Sequence, residues 1–380
     1  MKKIIFGITS LTLGGAERVL VDLANRLCKF YDITIFTIYA KGELEKELSP
    51  DIKRISLYPF SFQELSNFQR KLQMPLQILL GKKHLYKKYI KKDYDIEIAF
   101  LEGPVTRLFS IKNKNTRKIA WIHNDVSLVF GKGIKAKIKK KIDRNIYSKY
   151  ETLVFVSKDN REHFEKVYPE LRNSSLERIH KRVIYNYLDD EVVRKKTEDQ
   201  IDITFDQTYI NFVTVARLVE QKGIDRLIDV HTKLIRNGKK HRFYVIGDGP
   251  LREKLEEKIK KNKVEDSFFL LGKRENPYPY IKKADYFCLL SQFEGYPMVL
   301  LEAKLLNKKI LITDTAAREV VQNYEKATIV ENSEKGIYNG LQKIINQNKN
   351  KRKREKEEIK KNEENEKNLK KVITLLEGNL

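Results

Sequence analysis

A chain of 380 residues, 41% hydrophobic and 34% charged, is long enough for two domains with separate cores beneath a very polar surface. No run approaches the roughly 18–20 apolar residues of a membrane-spanning helix, and the glycines and charged segment in MKKIIFGITSLTLGGAERV make it a first strand and loop, not a signal peptide. Cys28 and Cys288 lie far apart in apolar segments and read as buried free thiols in a reducing, cytoplasmic compartment, and the six histidines show no HExxH or HxH spacing, which argues against a metal site.

The formal charge is +24, and its placement matters more than its size. Residues 51–150 carry 23 Lys and Arg against 8 Asp and Glu, so more than half of the excess falls in about a quarter of the chain. Nucleic acid, anionic lipid and an anionic substrate all satisfy such a surface.

In chain order, Lys3 to Thr9 reads as a buried strand, Leu13-Gly14-Gly15 as a tight loop, and Ala16 to Leu27 as a helix with Val19, Leu20, Leu23, Ala24 and Leu27 on one face. Gly15 and its neighbour allow close backbone approach to a ligand, although an ordinary strand-to-helix turn needs no ligand. Ile33–Tyr39 and Ile52–Leu57 are further strands. Residues 60–92 mix Phe, Leu, Ile and Tyr with clustered lysines, and Pro75 and Gly81 are expected to break them into pieces. Residues 131–149 place Ile134, Ile138, Ile142 and Ile146 four apart among lysines. That stripe suits a helix lying on an anionic membrane, or one packed on its own domain. Asp93-Tyr94-Asp95 precedes a strand and reads as a turn. His123 directly follows the strand Lys118–Ile122, at the strand end where ligands bind in parallel sheets. Ser157 is placed to cap a helix beginning at Lys158. Residues 190–208 are polar and without periodicity, as expected of a linker.

The second half repeats the alternation of strand and helix. Tyr209–Ala216 is a strand, and Arg217 to Gly223 leads into a helix over Asp225–Arg236. His241–Gly247 leads through Asp248-Gly249-Pro250 into another helix, so Gly247 and Gly249 flank a turn. Tyr286–Leu290 is a strand, and Pro297 is expected as the first helical residue of the next helix, where its missing N–H costs nothing. Glu294 and Glu302 then flank a helix N-terminus, with Glu302 roughly 7 Å along the axis at about 1.5 Å per residue. Spaced so, the two acids do not share one proton. They are better suited to gripping two ends of a long ligand whose anionic middle lies on the helix end. Residues 346–371 are almost entirely Lys, Glu, Asn and Arg and read as a solvated helix.

FEGYPMVLLEA (293–303), GGAERV (14–19), WIHND (121–125), VIYNYLD (183–189), ARLVEQKGID (216–225) and the Gly247-x-Gly249-Pro250 turn resemble, in the same order, the motifs of the family 4 retaining glycosyltransferases. That resemblance implies a GT-B fold: an α/β protein of two facing Rossmann-like doubly wound parallel-sheet domains with a cleft between them. The expected division is an acceptor-binding domain over 1–188, a linker over 189–208, a nucleotide-sugar domain over 209–345 and a charged tail over 346–380. It implies that Glu302 holds the ribose, that Glu294 holds the donor sugar, and that Arg217 and Lys222 meet the diphosphate with the backbone of Gly295, Tyr296, Pro297 and Met298. Gly247 and Gly249 would lie beneath the nucleotide, and His123 and Gly15 on the opposing wall. Tyr187 replaces the family's usual proline after Asn186, and Ala316-Ala317 replaces its Gly-Gly. No cofactor or metal is implied. The activity implied is transfer of a sugar, with UDP the expected nucleotide, to a saccharide acceptor. The basic segments 60–92 and 131–149 favour a lipid-linked acceptor at the inner face of the membrane, in capsule, exopolysaccharide or wall polymer assembly. A soluble GT-B enzyme acting on a small molecule or glucan, or a non-catalytic basic binding protein, are the rivals. The second would bind nucleic acid or anionic lipid, but no nucleic-acid module is present and the basic excess lies apart from the phosphate-loop motifs.

Overall fold

The computed structural model describes residues 1–90, 94–129, 134–171, 179–348 and 363–378. It divides into two compact units, one formed by Met1–Leu188 with Glu364–Leu380, the other by Asp189–Glu363.

In the first unit the strands are β1 (Lys3–Ile8), β2 (Asp32–Tyr39), β3 (Lys53–Tyr58), β4 (Ile96–Ala99), β5 (Arg117–Ile122), β6 (Thr152–Phe155) and β7 (His180–Val183). They form one parallel sheet in the order β3-β2-β1-β4-β5-β6-β7. β4 (Ile-Glu-Ile-Ala) and β6 (Thr-Leu-Val-Phe) are buried at every position, hence on both faces, as a parallel sheet covered by helices requires. Those helices are α1 (Gly15–Leu27), α2 (Met74–Leu85), α3 (Pro104–Phe109), α4 (Val126–Val129), α5 (Ile134–Tyr147) and α6 (Lys158–Val167). Ser157 caps α6, its hydroxyl accepting from the Asn160 N–H, as the sequence led us to expect.

In the second unit, β8 (Ile210–Val215), β9 (His241–Ile246), β10 (Phe268–Gly272), β11 (Tyr286–Leu289), β12 (Lys309–Thr313) and β13 (Ala327–Val330) make a parallel sheet in the order β10-β9-β8-β11-β12-β13. The strands alternate with α7 (Asp190–Lys196), α8 (Ile224–Arg236), α9 (Arg252–Asn262), α10 (Tyr278–Lys283), α11 (Met298–Leu305), α12 (Arg318–Val321) and α13 (Glu334–Asn348). A final helix, α14 (Glu363–Glu377), belongs to the first unit. Strand order reverses between β1 and β4 in one sheet and between β8 and β11 in the other. Doubly wound sheets bind ligands outside the carboxyl ends of the strands at such switch points.

Four segments differ from the sequence expectation. Pro75 and Gly81 do not break residues 67–90, which run as one helical stretch with π turns at Gln69–Gln73 and Tyr86–Ile90 around α2. The first π turn lies directly before Pro75, where a shifted hydrogen-bond register accommodates a residue without an N–H. The expected linker 190–208 opens with α7, capped by the Asp189 carboxylate on the N–H groups of Glu191 and Val192 and pinned by buried Val193. Pro297 is the extended N-cap of α11 and not its first helical residue. Finally, α14 is not solvated all round. Within 346–371 it buries Asn365, Asn368 and Leu369; beyond that range Val372, Leu375 and Leu376 are buried too, and Arg117 donates to the carbonyls of Leu375 and Leu376 at its end. The rest of the charged tail, 349–362, lies outside the described residues, as does Asp93 of the Asp-Tyr-Asp triplet. Asp95 of that triplet accepts from the Lys3 N–H at 2.7 Å and donates its own N–H to the Lys3 carbonyl at 2.9 Å, which ties it to the start of β1.

Candidate active site

The second unit gathers the carboxylate and cations at its switch point. Glu294 lies in the loop after β11 and is 8% exposed. Its Oε1 accepts from Lys222 Nζ at 2.6 Å and from the Ser291 hydroxyl at 2.5 Å. Lys222 comes from the loop after β8, the adjacent strand, so the pair closes across the switch point. The two loops are joined by their backbones as well: Gln292 N–H donates to the Gln221 carbonyl at 2.8 Å, and Gln221 Nε2 to the Phe293 carbonyl at 3.0 Å. Thr313, at the end of β12, donates to the Ser291 carbonyl at 2.6 Å. An acid and a base that each reach solvent only partly are held in one geometry by three strand ends.

Arg217 sits at the start of the β8 loop with its side chain exposed, and no hydrogen bond or ion pair engages it among the described residues. It is therefore available to an incoming anion. Gly247 and Gly249 are built against this loop. Gly247 has φ +138°, and a Cβ there would stand 2.0 Å from the Ala216 carbonyl oxygen; one on Gly249 would stand 2.5 Å from that of Leu218. The Leu218 N–H donates to the Asp248 carbonyl at 3.0 Å. In this structure the two glycines thus let the 247–249 turn press on the loop that carries Arg217.

Glu302 lies four residues into α11, about 6 Å along its axis. It is buried, and the Tyr278 hydroxyl on α10 donates to its Oε1 at 3.4 Å. Gly295, Tyr296, Pro297 and Met298 form the entry to α11, where first-turn N–H groups have no intrahelical partner. The apolar run after Pro297 buries Met298, Leu300, Leu301 and Leu305 and so anchors this end.

The first unit carries His123 and Gly15. His123 follows β5, its ring 4.8 Å from that of Phe100 and stacked at 6.5 Å on Trp121. Burial among these rings pushes its pKa down to about 3. Its Nε2 is buried and has no hydrogen-bond partner among the described residues. The imidazole is therefore neutral at neutral pH and has one nitrogen waiting for a partner. The following residue is fixed from two sides: Asn124 donates through its backbone N–H and its amide to the two oxygens of Glu102 at 2.7 and 2.9 Å, and Asn160 donates to the Asn124 carbonyl at 2.9 Å. Burial raises the Glu102 carboxyl pKa. Gly15 is the exposed first residue of α1, with extended Gly14 as N-cap. Among the described residues no group of three or more His, Cys, Asp or Glu is arranged to hold a metal ion.

Sequence reasoning missed Ser291, Tyr278 and Glu102. Ser291, three residues before Glu294, was legible as a hydroxyl next to a loop acid. Tyr278 and Glu102 had no local signal, because each meets its partner across tens of residues.

Two doubly wound units, with a lysine–carboxylate pair at the switch point of one and a neutral histidine at a strand end of the other, define a GT-B glycosyltransferase. The glycosyl transferases group 1 model matches residues 195–362. The N-acetylgalactosamine-N,N'-diacetylbacillosaminyl-diphospho-undecaprenol 4-alpha-N-acetylgalactosaminyltransferase of Campylobacter jejuni is 27% identical over 366 residues, 92% of each chain. From the same organism, GalNAc-alpha-(1->4)-GalNAc-alpha-(1->3)-diNAcBac-PP-undecaprenol alpha-1,4-N-acetyl-D-galactosaminyltransferase is 30% identical over 308 residues, 80% of this chain and 77% of that one. The crystal structure of Anabaena Alr3699/HepE in complex with UDP and glucose matches with a TM-score of 0.67 at 17% identity, covering 92% of this chain and 90% of that one. TarM matches at 0.70 and 15%, covering 99% and 98%. The chain belongs to the glycosyl transferases group 1 family.

Proposed function

We propose that this glycosyltransferase is a retaining enzyme that transfers a sugar from a UDP-sugar to a lipid-linked saccharide in cell-surface polysaccharide assembly. The observation that carries the reading is the Glu294–Lys222 pair beside the α11 N-terminus, with Arg217 on the same loop as Lys222 and unengaged among the described residues. Glu294 binds the donor sugar, and Lys222, Arg217 and the first-turn N–H groups of α11 take up the charge that grows on the diphosphate as the sugar departs. Glu302 holds the ribose end. The bond from the anomeric carbon to the phosphate oxygen breaks, and the bond to the acceptor oxygen forms on the same face. The acceptor's proton passes to the departing phosphate. His123, uncharged, accepts or donates a hydrogen bond to a sugar hydroxyl and does not serve as an acid at neutral pH. Side-chain cations compensate the charge in this scheme, so turnover persists in EDTA.

UDP is supported by its presence in the Anabaena structure, and a lipid-linked acceptor by the undecaprenol substrates named for the C. jejuni relatives. The first unit adds a surface for such an acceptor. Phe68, Leu72, Leu76 and Leu80 stand four apart along the 67–90 stretch and are exposed, Leu80 by 82%, with Lys82, Lys83, Lys87 and Lys88 following. On α5, Ile138 and Ile142 are exposed among lysines while Ile146 is buried. No helix among the described residues is long and apolar enough to cross a membrane. This surface rests on the bilayer in our reading.

The test is turnover of a panel of UDP-, GDP- and ADP-sugars, with membrane extract as acceptor source, by the wild type and by Glu294→Ala. One nucleotide is released by the wild type and not by the variant. Equal release by both, or consumption of no donor, would overturn the proposal.

A further inference from the structure

We propose that Arg226 is a positioning residue of the donor site, a clamp that sets the Glu294 loop against the strand ends beneath it. The inference rests on the assignment of Glu294 to the donor sugar.

Arg226 lies in the first turn of α8, three residues beyond Gly223. One terminal guanidinium nitrogen is 2.7 Å from the Leu290 carbonyl oxygen, 2.9 Å from that of Ser291 and 2.7 Å from Asn332 Oδ1. Asn332, just beyond β13, turns its amide to the Gln292 carbonyl at 2.7 Å. Arg226 and its relay thus hold three consecutive carbonyls, those of residues 290, 291 and 292. Ser291, in the middle of that run, donates directly to Glu294. A displacement of these carbonyls would move the hydroxyl that orients the carboxylate and the carboxylate itself. Gly223 makes the approach possible. Its φ is +65°, and a Cβ would stand 2.8 Å from both Arg226 Nε and the Leu290 carbonyl oxygen.

The placement is costly for folding alone. A cation in the first turn of a helix opposes the positive end of the helix dipole. Burial lowers the guanidinium pKa against the opposing charge of Glu334, and no carboxylate forms an ion pair with the group among the described residues. Nε is buried with no acceptor among the described residues. Residues that break local rules in this way are expected where a site is being held. All three acceptors gather on one terminal nitrogen, which lies one bond farther from the backbone than a lysine ammonium reaches.

The experiment uses full-length Arg226→Met, Arg226→Lys and Arg226→Ala beside Glu294→Ala, with UDP as the binding probe in calorimetry and donor turnover as the rate. For Arg226→Met the rate falls about ten-fold or more while UDP affinity stays within about three-fold, the split expected when a transition-state contact is misplaced. Guanidinium ion added to Arg226→Ala restores part of the rate. Should Arg226→Met fail to fold, Arg226→Lys, which keeps the charge but ends one bond short of the three carbonyls' shared donor position, shows the same split. Turnover within about two-fold of wild type in both variants, or rate and UDP affinity falling together without guanidinium rescue, would overturn the clamp. A Glu294→Ala variant as active as wild type sinks instead the donor-site reading beneath it.

Discussion

Lys222 and Glu294 meet at 2.6 Å, each on the loop that leaves one of two adjacent strands, β8 and β11. Their side chains are 18% and 6% exposed, so the pair is largely withdrawn from water. Removing one partner leaves the other charge buried, whereas removing both leaves a neutral site. Lys222→Met is expected to destabilise the protein by about 3 kcal/mol. In the double variant Lys222→Met/Glu294→Gln much of that loss is recovered, a coupling of about 1–3 kcal/mol in a urea denaturation cycle. Strict additivity would show that the two groups do not hold each other.

A second buried pair braces the first unit far from the ligand edge of the sheet. Lys118 Nζ on β5 is 2.5 Å from Glu97 on β4, 2.9 Å from the Phe109 carbonyl and 3.3 Å from the Tyr86 hydroxyl, which itself donates to Glu97 at 2.6 Å. Desolvation lowers the lysine's pKa despite the carboxylate beside it. Lys118→Met leaves Glu97, fully buried, with only Tyr86 and the Asn113 amide at 3.5 Å among the described residues. It should cost about 3–5 kcal/mol. Lys118→Met combined with Glu97→Leu should cost less than Lys118→Met alone. The order of the thermal midpoints decides it.

His231, His241 and Ser267 predict how the second unit responds to acid. His241 Nδ1 is 2.8 Å from the Lys239 carbonyl and so carries the proton; its Nε2 must accept from His231 Nδ1–H at 2.9 Å, and His231 Nε2 accepts from the Ser267 hydroxyl at 2.9 Å. A proton added to His241 Nε2 would set two N–H groups face to face, and one added to His231 Nε2 would turn the Ser267 hydroxyl from donor to acceptor, its hydrogen moving to the Val264 carbonyl at 3.3 Å. Burial accordingly pushes the pKa of His231 down to about 2 and that of His241 to about 4. The unfolded chain takes up these protons near the ordinary value of 6.5 and the folded one does not. Stability from this source is therefore complete above about pH 6.5 and falls as the pH drops toward 4, by about 3 kcal/mol per pH unit once both unfolded imidazoles are charged. A His231→Leu/His241→Leu variant should show a flatter decline in urea midpoint between pH 6.5 and 5. Parallel curves would count against the assignment.

The exposed row Phe68, Leu72, Leu76 and Leu80 is expected to mediate membrane docking. Wild-type protein should sediment with vesicles containing phosphatidylglycerol at low salt, less so at high salt, and weakly with pure phosphatidylcholine. Leu72→Glu/Leu80→Glu should release it without lowering the thermal midpoint, since both side chains already face solvent. Equal binding by the variant, or none by the wild type, would remove this surface from the proposal.

Short-range chemistry was legible in the sequence. Runs such as Ile4–Ile8 and Phe287–Leu290 declared themselves strands by composition, Ser157 announced a cap, and Glu294, Lys222 and Arg217 fell in loops because polar breaks separate apolar runs. Their alternation was enough to specify two doubly wound sheets, since parallel strands need helical crossovers. Gly247 and Gly249 were legible as a tight turn, but their pressure on Ala216 and Leu218 was not.

What only the tertiary structure decided are the meetings of residues far apart along the chain. Periodicity reports which face of one element is apolar, and nothing about which side chain of another element will stand opposite it. Lys222 finds Glu294 across 72 positions, Arg226 finds Asn332 across 106, and Asn365 finds the Leu188 backbone across 177. The Pro75 helix belongs here too: local propensity opposes it, and burial of Met74, Ile78, Tyr86 and Ile90 in the first core offsets that cost. The charged tail shows the same limit. Residues 346–371 read as a solvated helix by composition, yet α14 buries Asn365, Asn368 and Leu369 among them, because the unit that accepts them is made by residues from the other end of the chain.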